Sequence, residues 1–124
     1  MIEYKVKVDE VGTKVWYLNG QRHREDGPAI EWPDGGKEWW LNGQRHREDG
    51  PAREFADGAK SWWLNGQRHR EDGPAIEYGD GNKSWFLNGE YLTEKEFNNI
   101  TQTKELTIKE LEAKLGYKIK VVGE

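Results

Sequence analysis

Short runs of alternating apolar and polar residues, separated by turns containing Gly, Asp and Pro, occupy most of this chain. Ala29-Ile30-Glu31-Trp32 leads through Pro33-Asp34-Gly35-Gly36 into Lys37-Glu38-Trp39-Trp40-Leu41. Alternation with period two predicts half-buried strands, and Asp-Gly between two aromatic-rich runs predicts a hairpin. With Asp34-Gly35 as the turn, Trp32 pairs with Lys37, Glu31 with Glu38 and Ile30 with Trp39. One face then holds Ile30, Trp32, Trp39 and Leu41, continued by Arg53, Phe55, Trp62 and Leu64 and by Ile76, Tyr78, Trp85 and Leu87. That face is the expected core ladder. The opposite face holds Glu31, Glu38, Trp40 and Asn42, then Glu54, Trp63 and Asn65, then Glu77, Phe86 and Asn88. Tyr17 opens the same row, so Tyr17, Trp40, Trp63 and Phe86 are expected to form an aromatic column beside carboxylates.

The pattern is a repeat. The residues LNGQRHREDGPA stand unchanged from Leu18, Leu41 and Leu64, 23 positions apart. Units run from Trp16 to Glu38, Trp39 to Ser61 and Trp62 to Ser84, and a fourth opens as Trp85-Phe86-Leu87-Asn88-Gly89. A fixed period of this length predicts one supersecondary unit stacked on copies of itself. Residues 1–15, where Ile2, Tyr4, Val6 and Val8 alternate with charged positions, read as an N-terminal capping strand, and residues 16–92 as the repeats. Residues 93–124 read as a helical cap with a final strand. Thr93-Glu94-Lys95-Glu96 has the capping-box pattern of a helix carrying Phe97. Thr107-Ile108-Lys109-Glu110 has a second box, with Leu106 and Leu111 as a staple, Gly116 as the stop and a strand from Tyr117 to Val122. Such caps protect the open strand edges of an array.

Trp39-Trp40-Leu41-Asn42-Gly43-Gln44-Arg45-His46, then Asp49-Gly50-Pro51-Ala52 and Asp57-Gly58, resemble a variant of the MORN repeat, a hairpin unit of the same period. The shared features are the aromatic opening before Asn-Gly, the basic-His step and the later Asp-Gly turn, and the resemblance covers Trp16 to Gly89. The chain departs from the common form in having Arg-Glu-Asp-Gly-Pro where that form usually has Gly-x-Gly. The HREDGPA units and the ending GYKIKVVGE are also similar to small tailed-phage repeat proteins. The resemblance implies a mainly β fold, an antiparallel β-hairpin repeat solenoid with a short α-helical and β C-terminal cap. It also implies binding of proteins or lipids rather than catalysis.

Composition narrows the picture. Of 124 residues, 34% are hydrophobic and 34% charged, which fits a thin stacked core in which seven Trp supply much of the burial. The 19 Lys and Arg against 23 Asp and Glu give no general attraction to nucleic acid or anionic lipid. Without Cys there is no disulfide, thiolate metal site or cysteine nucleophile. No apolar stretch is long enough for a signal peptide or a membrane span, so the expected location is cytoplasmic.

His23, His46 and His69 each precede an Asp (Asp26, Asp49, Asp72) by three residues, half of a hydrolytic arrangement. The nucleophile is missing, since the only Ser are Ser61 and Ser84 and neither lies in the loop. Stacked units put neighbouring imidazoles ~10 Å apart, too far to share an ion. No catalytic residue, metal or cofactor is expected. The His and Asp are read as structural joints, in which Asp caps loop amides, Gly takes an unusual backbone angle and Pro fixes the exit. Arg22 and Arg24, with Arg45, Arg47, Arg68 and Arg70, form a second row that could hold phosphates or pair with neighbouring acids.

The expectation is therefore a non-enzymatic binding protein, a phage-type accessory protein that blocks or sequesters a host defence protein. Its contact surface would be Tyr17, Trp40, Trp63 and Phe86, with Glu31, Glu38, Glu54 and Glu77 as an acidic rim for a basic partner. The alternatives are a binder of a nucleotide signal, clamped by Trp and Arg of two units or two protomers, and a structural module that homo-oligomerises through the edges or faces of the ribbon. For the column itself the structural alternative is that a second layer or a dimer mate covers it. Nucleic acid and membrane are not expected partners.

Overall fold

The computed structural model describes residues 2–102, 107–118 and 120. In chain order the strands are β1 (Lys5–Val8), β2 (Lys14–Leu18), β3 (Gln21–Arg22), β4 (Ile30–Glu31), β5 (Lys37–Glu38), β6 (Trp40–Leu41), β7 (Gln44–Arg45), β8 (Arg53–Glu54), β9 (Lys60–Ser61), β10 (Trp63–Leu64), β11 (Gln67–Arg68), β12 (Ile76–Glu77), β13 (Lys83–Leu87) and β14 (Glu90–Leu92). Helices α1 (Glu94–Thr101) and α2 (Ile108–Leu115) follow. The chain is mainly antiparallel β hairpins with these two short helices.

Each unit turns back twice, once at Asp-Gly and once at Asn-Gly. At the first turn Trp32 N–H donates to the Gly36 carbonyl at 2.9 Å and Gly35 N–H to the Trp32 carbonyl at 3.0 Å. These bonds enclose Pro33-Asp34-Gly35, a three-residue loop with Gly35 at φ +96° and the Asp34 carboxylate accepting Gly36 N–H at 2.9 Å. The same loop recurs between Phe55 and Ala59 and between Tyr78 and Asn82. The expected turn has two residues, and the extra one moves the register by one. Ile30 opposes Glu38 and Glu31 opposes Lys37, in place of the pairs Ile30–Trp39, Glu31–Glu38 and Trp32–Lys37. A slip of one residue exchanges faces, so Glu38 and not Trp39 shares the inner row with Ile30.

The second turn falls where the sequence pattern suggests that strand continues through Leu41-Asn42. Asn19-Gly20, Asn42-Gly43, Asn65-Gly66 and Asn88-Gly89 close the pairs β2–β3, β6–β7, β10–β11 and β13–β14. Both central residues have positive φ, from 50 to 52° at Asn and from 78 to 83° at Gly, the type I′ geometry that suits the twist of a hairpin. Asn tolerates this region, and a Cβ on Gly43 would come within 3.4 Å of the Gln21 amide beneath it.

The main sheet runs β1-β2-β4-β5-β8-β9-β12-β13-β14, with β3 paired to β2, while β6–β7 and β10–β11 stand as separate pairs. Register sorts it into two rows. Val15, Ile30, Glu38, Arg53, Ser61, Ile76 and Ser84 face inward, with Ile30, Glu38 and Ser61 only 5%, 3% and 6% exposed. Lys14, Glu31, Lys37, Glu54, Lys60, Glu77 and Lys83 form the other row, in which every Glu lies between two Lys. Opposite charges across strands stabilise such a row. The core is thin: Ala29, Ala52 and Ala75 are fully buried, whereas the Trp of the column are half-buried.

The ends differ in how far they match expectation. Residues 5–18 make a hairpin, β1–β2, rather than a single strand, closed by the Asp9 carboxylate accepting Val11 N–H at 3.0 Å and Thr13 N–H at 2.9 Å. The Thr13 bond holds the Asp9 carboxyl below its ordinary value. At the other end Thr93 and Glu96 form the full capping box of α1, and Phe97, 4% exposed, packs α1 on β13 and β14. The Thr93 backbone N–H likewise lowers the Glu96 carboxyl. In α2 Thr107 Oγ1 accepts Glu110 N–H, its hydroxyl donates to the Glu110 carboxylate, and Gly116 at φ +78° ends the helix. Leu106 of the expected staple lies outside the described residues, as do Ile119, Val121 and Val122 of the expected last strand.

Candidate functional site

The Asn-Gly hairpins carry the aromatic column. In β6–β7 Trp40 opposes Arg45, in β10–β11 Trp63 opposes Arg68, and in β2–β3 Tyr17 opposes Arg22. Guanidiniums therefore alternate with rings. Arg22 lies 5.1 Å from the Trp40 ring centre, Arg45 lies 5.2 Å from Trp40 and 5.0 Å from Trp63, and Arg68 lies 5.1 Å from Trp63 and 5.4 Å from Phe86. Two steps of about 5 Å make up the ~10 Å between rings on successive hairpins. Lys7 sits 5.1 Å over Tyr17 at one end, and Tyr91 meets Phe86 edge-on at the other. Each cation–π contact contributes about 0.5–1 kcal/mol at a half-exposed site.

The register replaces the expected acidic rim with this basic one. Glu31, Glu54 and Glu77 are held in the Lys row, and Glu31 and Glu77 also lie 3.9 and 2.9 Å from Nη1 of Arg24 and Arg70. Glu38 is buried, accepting Arg45 Nε–H at 2.5 Å with Arg53 Nε 3.8 Å away. The like-charged pair Glu31–Glu38 does not exist. Exposed Arg22 and Arg68 have neither a carboxylate partner nor a side-chain hydrogen bond among the described residues.

The loops beside the ladder show why RHREDGP is invariant. His23 Nδ1 accepts Asn42 N–H at 2.8 Å, His46 Nδ1 accepts Asn65 N–H at 2.9 Å, and His69 Nδ1 accepts Asn88 N–H at 2.9 Å. Each imidazole thus binds the Asn-Gly turn of the following unit. Gly43 N–H to the Arg22 carbonyl and Arg24 N–H to the Trp40 carbonyl complete the joint, and both bonds recur in the later units. The second Arg organises its own loop. Arg47 lies 3.8 Å over the Trp39 ring and donates from Nε to Asp49 at 3.0 Å and from Nη1 to the Pro51 carbonyl at 3.0 Å. Asp26, Asp49 and Asp72 accept from these Arg rather than from loop amides. Gly27, Gly50 and Gly73 do not have positive φ; their role is clearance, since a Cβ on Gly50 would lie 3.0 Å from the Arg47 guanidinium carbon. Charge and shape both tie Arg to this loop.

Between successive loops lie two grooves, of about 690 Å³ beside His46 and about 640 Å³ beside His69. The first is walled by Arg24, Glu25 and Asp26 on one side and Arg47, Glu48 and Asp49 on the other, over Trp39 and Leu41. Four carboxylates against two guanidiniums make it acidic. At the first unit, which has no preceding loop, Tyr4 stacks on His23 with ring centres 6.4 Å apart and planes at 26°, and its hydroxyl accepts Glu25 N–H at 3.2 Å. Among the described residues no three His, Asp or Glu side chains cluster as a metal site requires, and no helix is long and apolar enough to cross a membrane.

No family model, curated protein or solved structure matches the chain.

Proposed function

We propose that the protein acts by binding, not catalysis, and that its recognition surface is the arginine–aromatic ladder, engaged by an acidic segment of a partner protein. The observation that carries this reading is the pair Arg22 and Arg68, exposed, held beside rings and without carboxylate partners among the described residues. A positioned guanidinium offers N–H groups in the fork that matches a carboxylate. Trp40 and Trp63 are each flanked by two cations, which leaves little ring surface for a stacked nucleobase. The net charge of −4 adds no long-range pull on nucleic acid. The joint repeated from unit to unit supports a MORN-like solenoid, on which the ladder forms one continuous stripe. The wider role, an accessory protein that blocks or sequesters a host protein, rests on the resemblance of the HREDGPA units to tailed-phage repeat proteins. A second reading, a nucleotide signal held by its phosphates, draws on the hollow of about 300 Å³ at Trp63, Gly66, Gln67, Arg68 and Gly89.

The test is capture from bacterial lysate with mass spectrometry of bound proteins and released small molecules, comparing the natural chain with Arg22→Ala/Arg68→Ala. Both residues are exposed, so the double variant should fold normally and lose a specific protein. Capture that survives the double change overturns the ladder as the interface, and release of a nucleotide instead of a protein supports the second reading. The Arg pair is the better probe than Trp40→Ala/Trp63→Ala, because those half-buried rings also hold the hairpins together.

A further inference from the structure

Tyr4 marks the first of three equivalent positions as a binding site for a phenol. His46-Arg47-Glu48 and His69-Arg70-Glu71 repeat His23-Arg24-Glu25 residue for residue. In all three the imidazole orientation is fixed by its Nδ1 bond to the next Asn, and Nε2 faces the carboxylate of its own unit, at 3.4, 3.5 and 3.3 Å in chain order. Among the described residues only the first has a ring stacked on its imidazole and an acceptor for the Glu N–H. Among the described residues neither Glu48 N–H nor Glu71 N–H has an acceptor, and both residues line a groove instead. Loops one repeat apart are separated by ~10 Å, enough for one ring between them.

The chain contains a second segment similar in sequence to the one that fills the first position. Tyr4-Lys5-Val6-Lys7-Val8 is matched by Tyr117-Lys118-Ile119-Lys120-Val121, differing only in Val6 against Ile119, and Tyr-Lys occurs nowhere else in the sequence. Tyr117 is 64% exposed and makes no contact with either groove. The lysines following the Tyr complement walls with an excess of two negative charges. We propose that the grooves at His46 and His69 are tyrosine sockets, occupied by Tyr117 from the 117–121 segment of a second copy. The ring would stack on the imidazole, and its hydroxyl would accept the N–H of Glu48 or Glu71, as Tyr4 does at Glu25.

The test is sedimentation of the full chain over a wide concentration range, with the imidazole resonances of the three His followed by NMR. Self-association is expected, accompanied by shifts at His46 and His69 but not at His23. Tyr117→Ala should remain monomeric, and Tyr117→Phe, which keeps the ring and loses one neutral hydrogen bond, should associate about fivefold more weakly. Tyr117 lies outside the repeats, so these variants leave the ladder and its partner capture unchanged, which separates this test from that of the proposed function. A natural chain that stays monomeric, association that Tyr117→Ala does not weaken, or His46 and His69 shifts in Tyr117→Ala at every concentration, as from a tail docked in its own chain, would each overturn the second copy as occupant.

Discussion

Glu38 and Arg53 are the two charged residues of the inward row, and they face each other across β5 and β8. Where they stand, the third unit has Ser84 and Ile76, and the second ends in Ser61. The exchange leaves two buried donors without acceptors, Arg53 Nε and Trp40 Nε1, whereas the equivalent Trp63 Nε1 donates to Ser61 Oγ at 2.8 Å. A buried ion pair of this kind offsets its own desolvation at best. Glu38→Ser alone should destabilise by about 2–3 kcal/mol, since Arg45 and Arg53 lose their carboxylate. Glu38→Ser with Arg53→Ile should restore or slightly exceed natural stability, because the introduced hydroxyl then serves Trp40 as Ser61 serves Trp63. Denaturant melts of the natural chain, the two single variants and the double variant check this; additive losses would show that the two residues are not coupled. At the joints, His46→Ala leaves Asn65 N–H without its acceptor and should cost about 1–2 kcal/mol in the same assay. Arg47→Lys should cost a similar amount, because an ammonium cannot stack on Trp39 while reaching both Asp49 and the Pro51 carbonyl.

Helices and turns are legible in proportion to how local their signals are. The box at Thr93 and Glu96 and the stop at Gly116 lie within one turn of chain and form as expected. The Asp-Gly hairpins also form, but Asp-Gly fits both two- and three-residue loops, and the choice decides which face every neighbour takes. Hence the pattern puts Trp39 in the inner row and Glu38 in an acidic rim, both one residue out of place. The Asn-Gly hairpins carry an equally strong signal, and the alternation of Arg with the column follows from them alone. The loop Asp takes a different partner from the amides expected, because its competitor, the Arg two residues earlier, reaches it only after stacking on a Trp. Helix α1 offers a pH test. The Glu96 carboxyl is lowered in the folded chain, so its support is present above the ordinary Glu value and lost as pH falls through the lowered one. Amide exchange in α1 should accelerate relative to the repeats over that acidic window. Thr93→Ala should weaken the helix by about 1 kcal/mol, while Glu96→Gln, which cannot titrate, should remove the pH dependence; dependence that persists in Glu96→Gln would place its origin elsewhere.

Across the whole molecule, one acidic chain presents two surfaces of opposite sign. The ladder shows Arg22, Arg45 and Arg68, and the grooves show the carboxylates of the HREDGP loops. The Lys–Glu row alternates in sign along its length, four Lys with three Glu between them, and presents no block of one charge. The exposed Arg22 and Arg68 of the ladder should steer an acidic partner, and steering is screened by salt while buried ring contacts are not. The decisive measurement is the association rate of the captured partner against ionic strength, for the natural chain and for Arg22→Glu/Arg68→Glu. The natural rate should fall steeply as salt rises, and the charge-reversed variant should associate slowly at low salt and lose that slope. A natural rate indifferent to salt, or a variant that associates as fast as the natural chain, would contradict recognition through the ladder.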